Sequence, residues 1–231
     1  MKYLLNEIPV LTTSEQVLKR LLIEEEEDQR LVAGLFAKAK DVARPKVLYR
    51  ESYVERVEGE DVQIDGAAFT SRVLAMNLQN VHRVFAYVAT CGTEVDDWTH
   101  LEKDYVVILW LDIIKEMILF DAIQYFNWHI KEAYQLEKTA ACNPGSGNLE
   151  NWPLSQQRPL FDLIGDVTEQ IGVVLTNEFL MLPTKSTSGL VFPADTEFSN
   201  CALCSRENCV GRRAAFDAAL HAKAGLTRQA V

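Results

Sequence analysis

The chain has 231 residues, and its composition, 48% hydrophobic and 24% charged, excludes a chain disordered throughout. A formal net charge of −10 sets it against phosphate backbones and anionic lipid, so neither nucleic acid nor a membrane is expected as a partner. The N-terminal run does not read as a signal peptide, because Asn6 and Glu7 interrupt its short apolar stretch, and no span of about 20 apolar residues follows; a cytoplasmic protein is expected.

Residues 12–40 carry helical patterning. Thr13 or Ser14 can cap a first helix whose apolar face holds Val17, Leu18, Leu21 and Leu22. The acidic run Glu24–Asp28 suits the start of a second helix, where negative charge meets the positive end of the dipole; a docking surface is the alternative. Leu31, Leu35 and Phe36 continue that apolar face, and Pro45 closes a helical N-terminal part over 1–45. Alternation of Val47, Tyr49, Val54, Val57, Val62 and Ile64 predicts strands over 46–64, with turns at Gly59 and Gly66. A short helix is expected over 69–79, a buried strand over His82–Cys91, and a further helix from Glu94. The longest helical pattern covers 104–136, with Trp110, Ile113, Ile114, Met117, Phe120 and Phe126 at helical spacing.

Beyond residue 138 the texture changes. The stretch AACNPGSGNLENWP, residues 140–153, is rich in Gly, Pro and Asn and reads as a loop. Leu154–Ile164 reads as a helix, followed by short strands at Val173–Leu175, Phe179–Leu182 and Ser188–Phe192. The cysteine-bearing segment 199–231 ends in an alanine-rich helix, Arg212–Lys223. These elements predict one α+β domain over 1–231, with helices packed around an antiparallel sheet.

Cys201, Cys204 and Cys209 have the spacing C-x₂-C-x₄-C. A C-x₂-C turn brings two thiolates onto one ion, and a third cysteine a few residues on can join them. Zinc and an iron–sulfur cluster both accept such a set; a redox-active thiol set, or no special role, are the alternatives. A fourth ligand is needed. Cys142 is preferred to Cys91, since Cys142 falls in a polar loop while Cys91 ends a buried strand. Arg206, Arg212 and Arg213 would offset thiolate charge.

Two further stretches carry small polar groups. Asn143, Pro144, Gly145, Ser146 and Gly147 follow the long helix, and the glycines permit positive φ and close approach to a ligand. Lys185, Ser186, Thr187, Ser188 and Gly189 can line a site through hydroxyl and backbone donors. Taken singly, each is a plain turn or loop.

Together they resemble the reactivation, adenosylmethionine-binding domain of cobalamin-dependent methionine synthase. The resemblance rests on Pro144-Gly145 after a long helix, then Leu160, Phe161 and Leu163, then Ile171-Gly172-Val173 and Leu175-Thr176, then Met181-x-Pro183 and Ser186-Thr187-Ser188-Gly189. It covers about residues 143–191. It implies an α+β fold around a bent antiparallel sheet, and S-adenosylmethionine presented to a cobalamin. A domain of this kind standing alone implies an activation partner for a corrinoid-binding methyltransferase, with the cobalamin carried by that partner.

The sequence departs from the pattern in three ways. Ala141 stands where the family has an Arg that can hold the adenosylmethionine carboxylate, and Ser146 stands where a Tyr follows the Gly. Loss of such a bidentate pair weakens binding by a few kcal/mol. The cysteine cluster is an addition. With Cys142 as fourth ligand beside the Pro-Gly loop, a cluster there would deliver the electron that reductive reactivation needs.

The remaining candidates are weaker. His82, His100, His129 and His221 are scattered and read as structural. Asp112 and Glu116, interleaved with Lys115, read as a solvated or salt-bridged face in preference to a general acid/base pair, while Asp121 and Gln124 are weak ligand-binding candidates. No triad, nucleotide or phosphate-loop pattern is present.

Overall fold

A computed structural model describes residues 1–146, 152–194, 200–204, 212, 214–223 and 225. The N-terminal strand β1, Lys2–Leu5, pairs with the long strand β2, Lys46–Glu58. Helices α1, Ser14–Leu21, and α2, Glu26–Val42, lie between them in sequence. Thr13 caps α1 in a reciprocal box: the Gln16 N–H donates to Thr13 Oγ1 at 3.3 Å, and the Thr13 N–H donates to Gln16 Oε1 at 2.8 Å. The acidic run does supply the first turn of α2, with Glu26, Glu27 and Asp28 at its positive end.

Next come β3, Asp61–Ile64, β4, Ala67–Thr70, and helix α3, Arg72–Leu78. Asp65 and Gly66 form the two-residue link between β3 and β4, both at positive φ, which suits the twist of a tight hairpin. The expected helix over 69–79 therefore starts later, because its first residues pair with β3. Strand β5, Arg83–Thr90, is followed by α4, Thr93–Thr99, and by the 30-residue helix α5, Tyr105–Tyr134. Asp104 caps α5 by accepting from the Val106 and Val107 N–H groups.

A correction follows α5. Residues 139–142 are not loop but strand β6, Thr139–Cys142. A 3₁₀ turn, Leu154–Gln156, leads into α6, Gln157–Ile164, and then α7, Val167–Ile171. The hairpin β7, Val174–Leu175, and β8, Met181–Leu182, precedes β9, Ser186–Pro193. Near the C-terminus a 3₁₀ turn spans Asn200–Leu203, and α8 spans Ala218–Lys223, shorter than the helix expected from residue 212.

The main sheet runs β4-β3-β2-β5-β9-β6, antiparallel at every pairing, with β1 on β2. Helices cover both faces of its centre, so β5 is apolar on both, while β3 and β4 alternate between buried and more exposed positions. Along β5, Val84, Ala86 and Val88 enter one core with α3, α6 and α7. Phe85, Tyr87 and Ala89 enter the other, with α1, α2 and α5. That explains the unbroken apolar reading of β5. Helix α5 contributes Trp110, Leu111, Ile114, Ile118, Phe126 and Ile130, a stripe spaced three or four residues apart for most of its length. The α+β class and antiparallel sheet inferred from sequence are the architecture found.

Candidate functional site

The two polar stretches, about forty residues apart in sequence, meet at one end of the sheet. Register brings them together: β6 pairs with β9 so that Cys142 lies opposite Leu190. Asn143 is the next residue. Its amide Nδ2 donates to the Tyr87 hydroxyl and to the Ser188 carbonyl, each at 2.8 Å. Gly189 makes this approach possible. A Cβ there would overlap the Asn143 amide nitrogen and stand 2.5 Å from the Cys142 carbonyl oxygen. The glycine serves close approach and not positive φ.

Gly145 is different. Its φ is 74°, its N–H donates to the Trp152 carbonyl at 2.8 Å, and a Cβ would stand 2.7 Å from Leu154 Cδ1. The Ser146 N–H donates to the Asn143 carbonyl at 3.2 Å, so Asn143–Ser146, with Pro144 inside it, is a closed turn. Gly147 lies outside the described residues.

Strand alternation splits the second stretch. Ser186 and Ser188 point to the α6 side, like Leu190 and Phe192 further along β9. Ser186 Oγ donates to Thr90 Oγ1 at 3.0 Å. Ser188 is 2% exposed, and its Oγ has no hydrogen-bond partner among the described residues. Trp152 Nε1 and Gln157 Oε1 are likewise buried and unpartnered on this side of the sheet. Orphaned buried groups cost free energy unless a ligand or water answers them. Thr187 pairs with Ala89, and Lys185 turns away to an ion pair with Asp112 on α5 at 2.8 Å. Asp96 likewise holds Lys115, so Asp112 and Lys115 on α5 are both in ion pairs with other elements.

Ala141 brings no cation to this end of the sheet, and Lys185 is held by Asp112. Among the described residues, the polar groups named here next to the turn are neutral: the Asn143 amide, the Ser188 hydroxyl and the Trp152 indole N–H. Such groups can orient a polar ligand, and nothing among them matches a carboxylate with opposite charge.

Cys142 is not in a polar loop. It ends β6, 1% exposed, in the same core as Leu160 and Phe192. Burial alone pushes its thiol far above the ordinary cysteine range, which disfavours a thiolate. Cys91 is also buried at a strand end, with its thiol pushed up to about 12, burial outweighing the nearby Lys115. The reason for preferring Cys142 to Cys91 therefore falls away.

Cys201 and Cys204 are half-buried, and their turn is ordered by its own backbone, with the Cys204 N–H donating to the Cys201 carbonyl at 3.2 Å. Fully buried Leu203 fixes this turn on the α6-side core. Among the described residues no three His, Cys, Asp or Glu side chains are gathered to hold a metal ion, Cys142, Cys201 and Cys204 included. Cys209 lies outside the described residues.

Asp121 and His129 make structural contacts. Asp121 Oδ2 accepts from the Leu11 and Thr12 N–H groups at 3.0 and 2.9 Å, holding the N-terminal segment on α5. With Gln124 it lines a surface cavity of about 670 Å³. His129 Nε2 meets the Tyr49 hydroxyl at 3.0 Å. Sequence reasoning missed Tyr87 and Thr90, the partners of Asn143 and Ser186. Both sit within the apolar run of β5, where no local pattern marks a polar role. Among the described residues, no helix is long and apolar enough to cross a membrane.

No family model and no curated protein matches this chain. Among solved structures it is similar to one described as the crystal structure of the MetH reactivation domain bound to AdoHcy. The TM-score is 0.61 at 13% identity, over 86% of this chain and 80% of that one. At this identity the likeness is one of fold.

Proposed function

We propose that this protein is a stand-alone activation module, acting in the cytoplasm, for a corrinoid-dependent methyltransferase such as methionine synthase. It would dock on the cobalamin-bearing protein and support reductive reactivation of the corrinoid. The observation that carries this reading is the meeting of Asn143 with Ser188 and Gly189, on a fold like that of the MetH reactivation domain. The turn at Asn143–Ser146, and Lys185, Ser186, Thr187, Ser188 and Gly189, with Gly147, would form the surface that faces the cofactor. Cys201, Cys204 and Cys209 would hold an iron–sulfur cluster or zinc. Cys142 would join them only if coordination itself removed its proton. A bound cluster would supply single electrons.

The test is purification without oxygen followed by iron, sulfide and zinc analysis and a mixing experiment with a corrinoid methyltransferase in its cob(II) form. A brown protein that forms a complex and speeds reduction of the cobalamin is expected. A colourless protein holding one zinc ion would sink the electron-transfer role.

A second reading is favoured by the ligand of the fold neighbour, AdoHcy. Here the chain binds S-adenosylmethionine beside Ser188, whose buried Oγ lacks a partner, and the cysteines only brace the C-terminal segment. Calorimetry separates the two readings. Micromolar binding of S-adenosylmethionine that survives Cys204→Ser supports the second.

A further inference from the structure

We propose that Arg212 is a positioning residue for metal binding at the Cys201–Cys204 turn, a role that rests on the metal reading of these cysteines given above. The carrying observation is a bridge. Arg212 Nη1 donates to the Cys201 carbonyl at 3.1 Å, and Nη2 donates to the Cys204 carbonyl at 3.2 Å. Nη1 also reaches the Ala214 carbonyl at 3.2 Å. One planar group thus ties both ends of the C-x₂-C turn to the chain that leads into α8. The Ala202 carbonyl between them accepts from the Asp217 N–H at 2.8 Å. The carbonyls of residues 201, 202 and 204 are all held from outside the turn.

The turn needs this because two thiolates must converge on one ion. Their convergence depends on the relative orientation of the two Cα–Cβ bonds, which the intervening backbone sets. A partner that fixes ligand orientation is typically worth 10- to 100-fold in metal affinity. Arginine suits the task because its donors form a rigid fork, whereas lysine offers one flexible point charge. At the C-terminal end of the short helical turn it answers the Cys204 carbonyl, while the Cys201 carbonyl accepts from it as well as from the Cys204 N–H within the turn. Its charge opposes the negative charge of thiolates gathered on a divalent ion. The sequence suggested only this last, electrostatic part.

Titration of the reduced full chain with Co²⁺ under argon tests the role, followed by thiolate-to-metal charge-transfer absorption. Wild type is expected to bind one Co²⁺, and R212Q to bind it roughly 10- to 100-fold more weakly. R212K should stay near R212Q, since one ammonium cannot bridge both carbonyls. Melting of the metal-free variants at the wild-type temperature excludes a general loss of fold as the cause. Equal Co²⁺ affinity in wild type and R212Q overturns the role of Arg212 and leaves the metal reading standing. Full rescue by R212K overturns it too, because charge alone would then suffice. A wild type that binds no Co²⁺ overturns both the role and the reading beneath it.

Discussion

Gly189 and Asn143 show how much depends on a single missing methyl group. The amide of Asn143 reaches across β9 to Tyr87 only because Gly189 has no side chain. In Gly189→Ala the new Cβ meets the Cys142 carbonyl oxygen at 2.5 Å, a backbone atom that cannot rotate away. We expect a loss of about 1–3 kcal/mol, the usual cost of overpacking, read as a lower urea midpoint at unchanged slope. Asn143→Ala in the same background should restore part of that loss, because it removes one of the two clashing groups. Strict additivity of the two changes would show that they do not touch. Both residues were singled out from sequence, but for another reason. The stretch Lys185 to Gly189 reads as able to line a ligand site, whereas in the structure Gly189, within the strand expected there, serves the close approach of Asn143. Tyr87, the hydroxyl that fixes Asn143, is more than fifty residues away, and only the register of β5, β9 and β6 makes them neighbours.

Elements built on strong local patterns were legible, and those made by pairing were not. Helix α5 declares itself through thirty residues of recurring apolar positions, and β5 through an unbroken apolar run. The first turn of α2 and the capped start of α1 follow from charge and capping chemistry. By contrast, β6 is Thr-Ala-Ala-Cys, four residues of weak strand preference next to a proline–glycine turn. It is a strand because β9 offers it an open edge, and no local rule reports that. The same holds for β1, which completes the edge of β2. Misreading β6 as loop is what made Cys142 look accessible.

One link between elements makes a pH prediction. Tyr49 on β2 and His129 on α5 share a hydrogen bond that ties sheet to helix. Burial lowers the pKa of His129 below its ordinary value, so the folded protein favours the neutral ring. The unfolded chain then binds the extra proton first as pH falls. Stability from this site is full above the unfolded pKa of roughly 6.5 and is lost as pH drops from there toward the lower folded value. Denaturant midpoints measured between neutral and mildly acidic pH should fall for the wild type. The slope should flatten in His129→Gln, while an unchanged slope would assign the acid sensitivity to other groups.

At the scale of the whole molecule, the described bonds and packing that hold the cysteine-bearing elements run through backbone groups and apolar side chains. Two cores fill the faces of the sheet, and the cysteines in them, Cys91 and Cys142, act as small buried apolar residues. The turn carrying Cys201 and Cys204 is anchored by Leu203, by Arg212 and by its own backbone bonds, none of which involves sulfur. A structural zinc behaves otherwise. Its binding supplies about 10–16 kcal/mol of folding free energy in small zinc domains, so removing it unfolds the chain. For this protein we expect Cys201→Ser/Cys204→Ser to abolish the proposed metal binding yet shift the main unfolding transition by less than about 1 kcal/mol, since both side chains are only half-buried and serine replaces them with little change in volume. Chelators should likewise leave the main transition in place. A transition that collapses with the double substitution would make the cysteines a staple, and the activation role would lose its redox element. A transition that persists would leave the proposed metal-binding turn with no work in folding, free to serve the chemistry proposed for it.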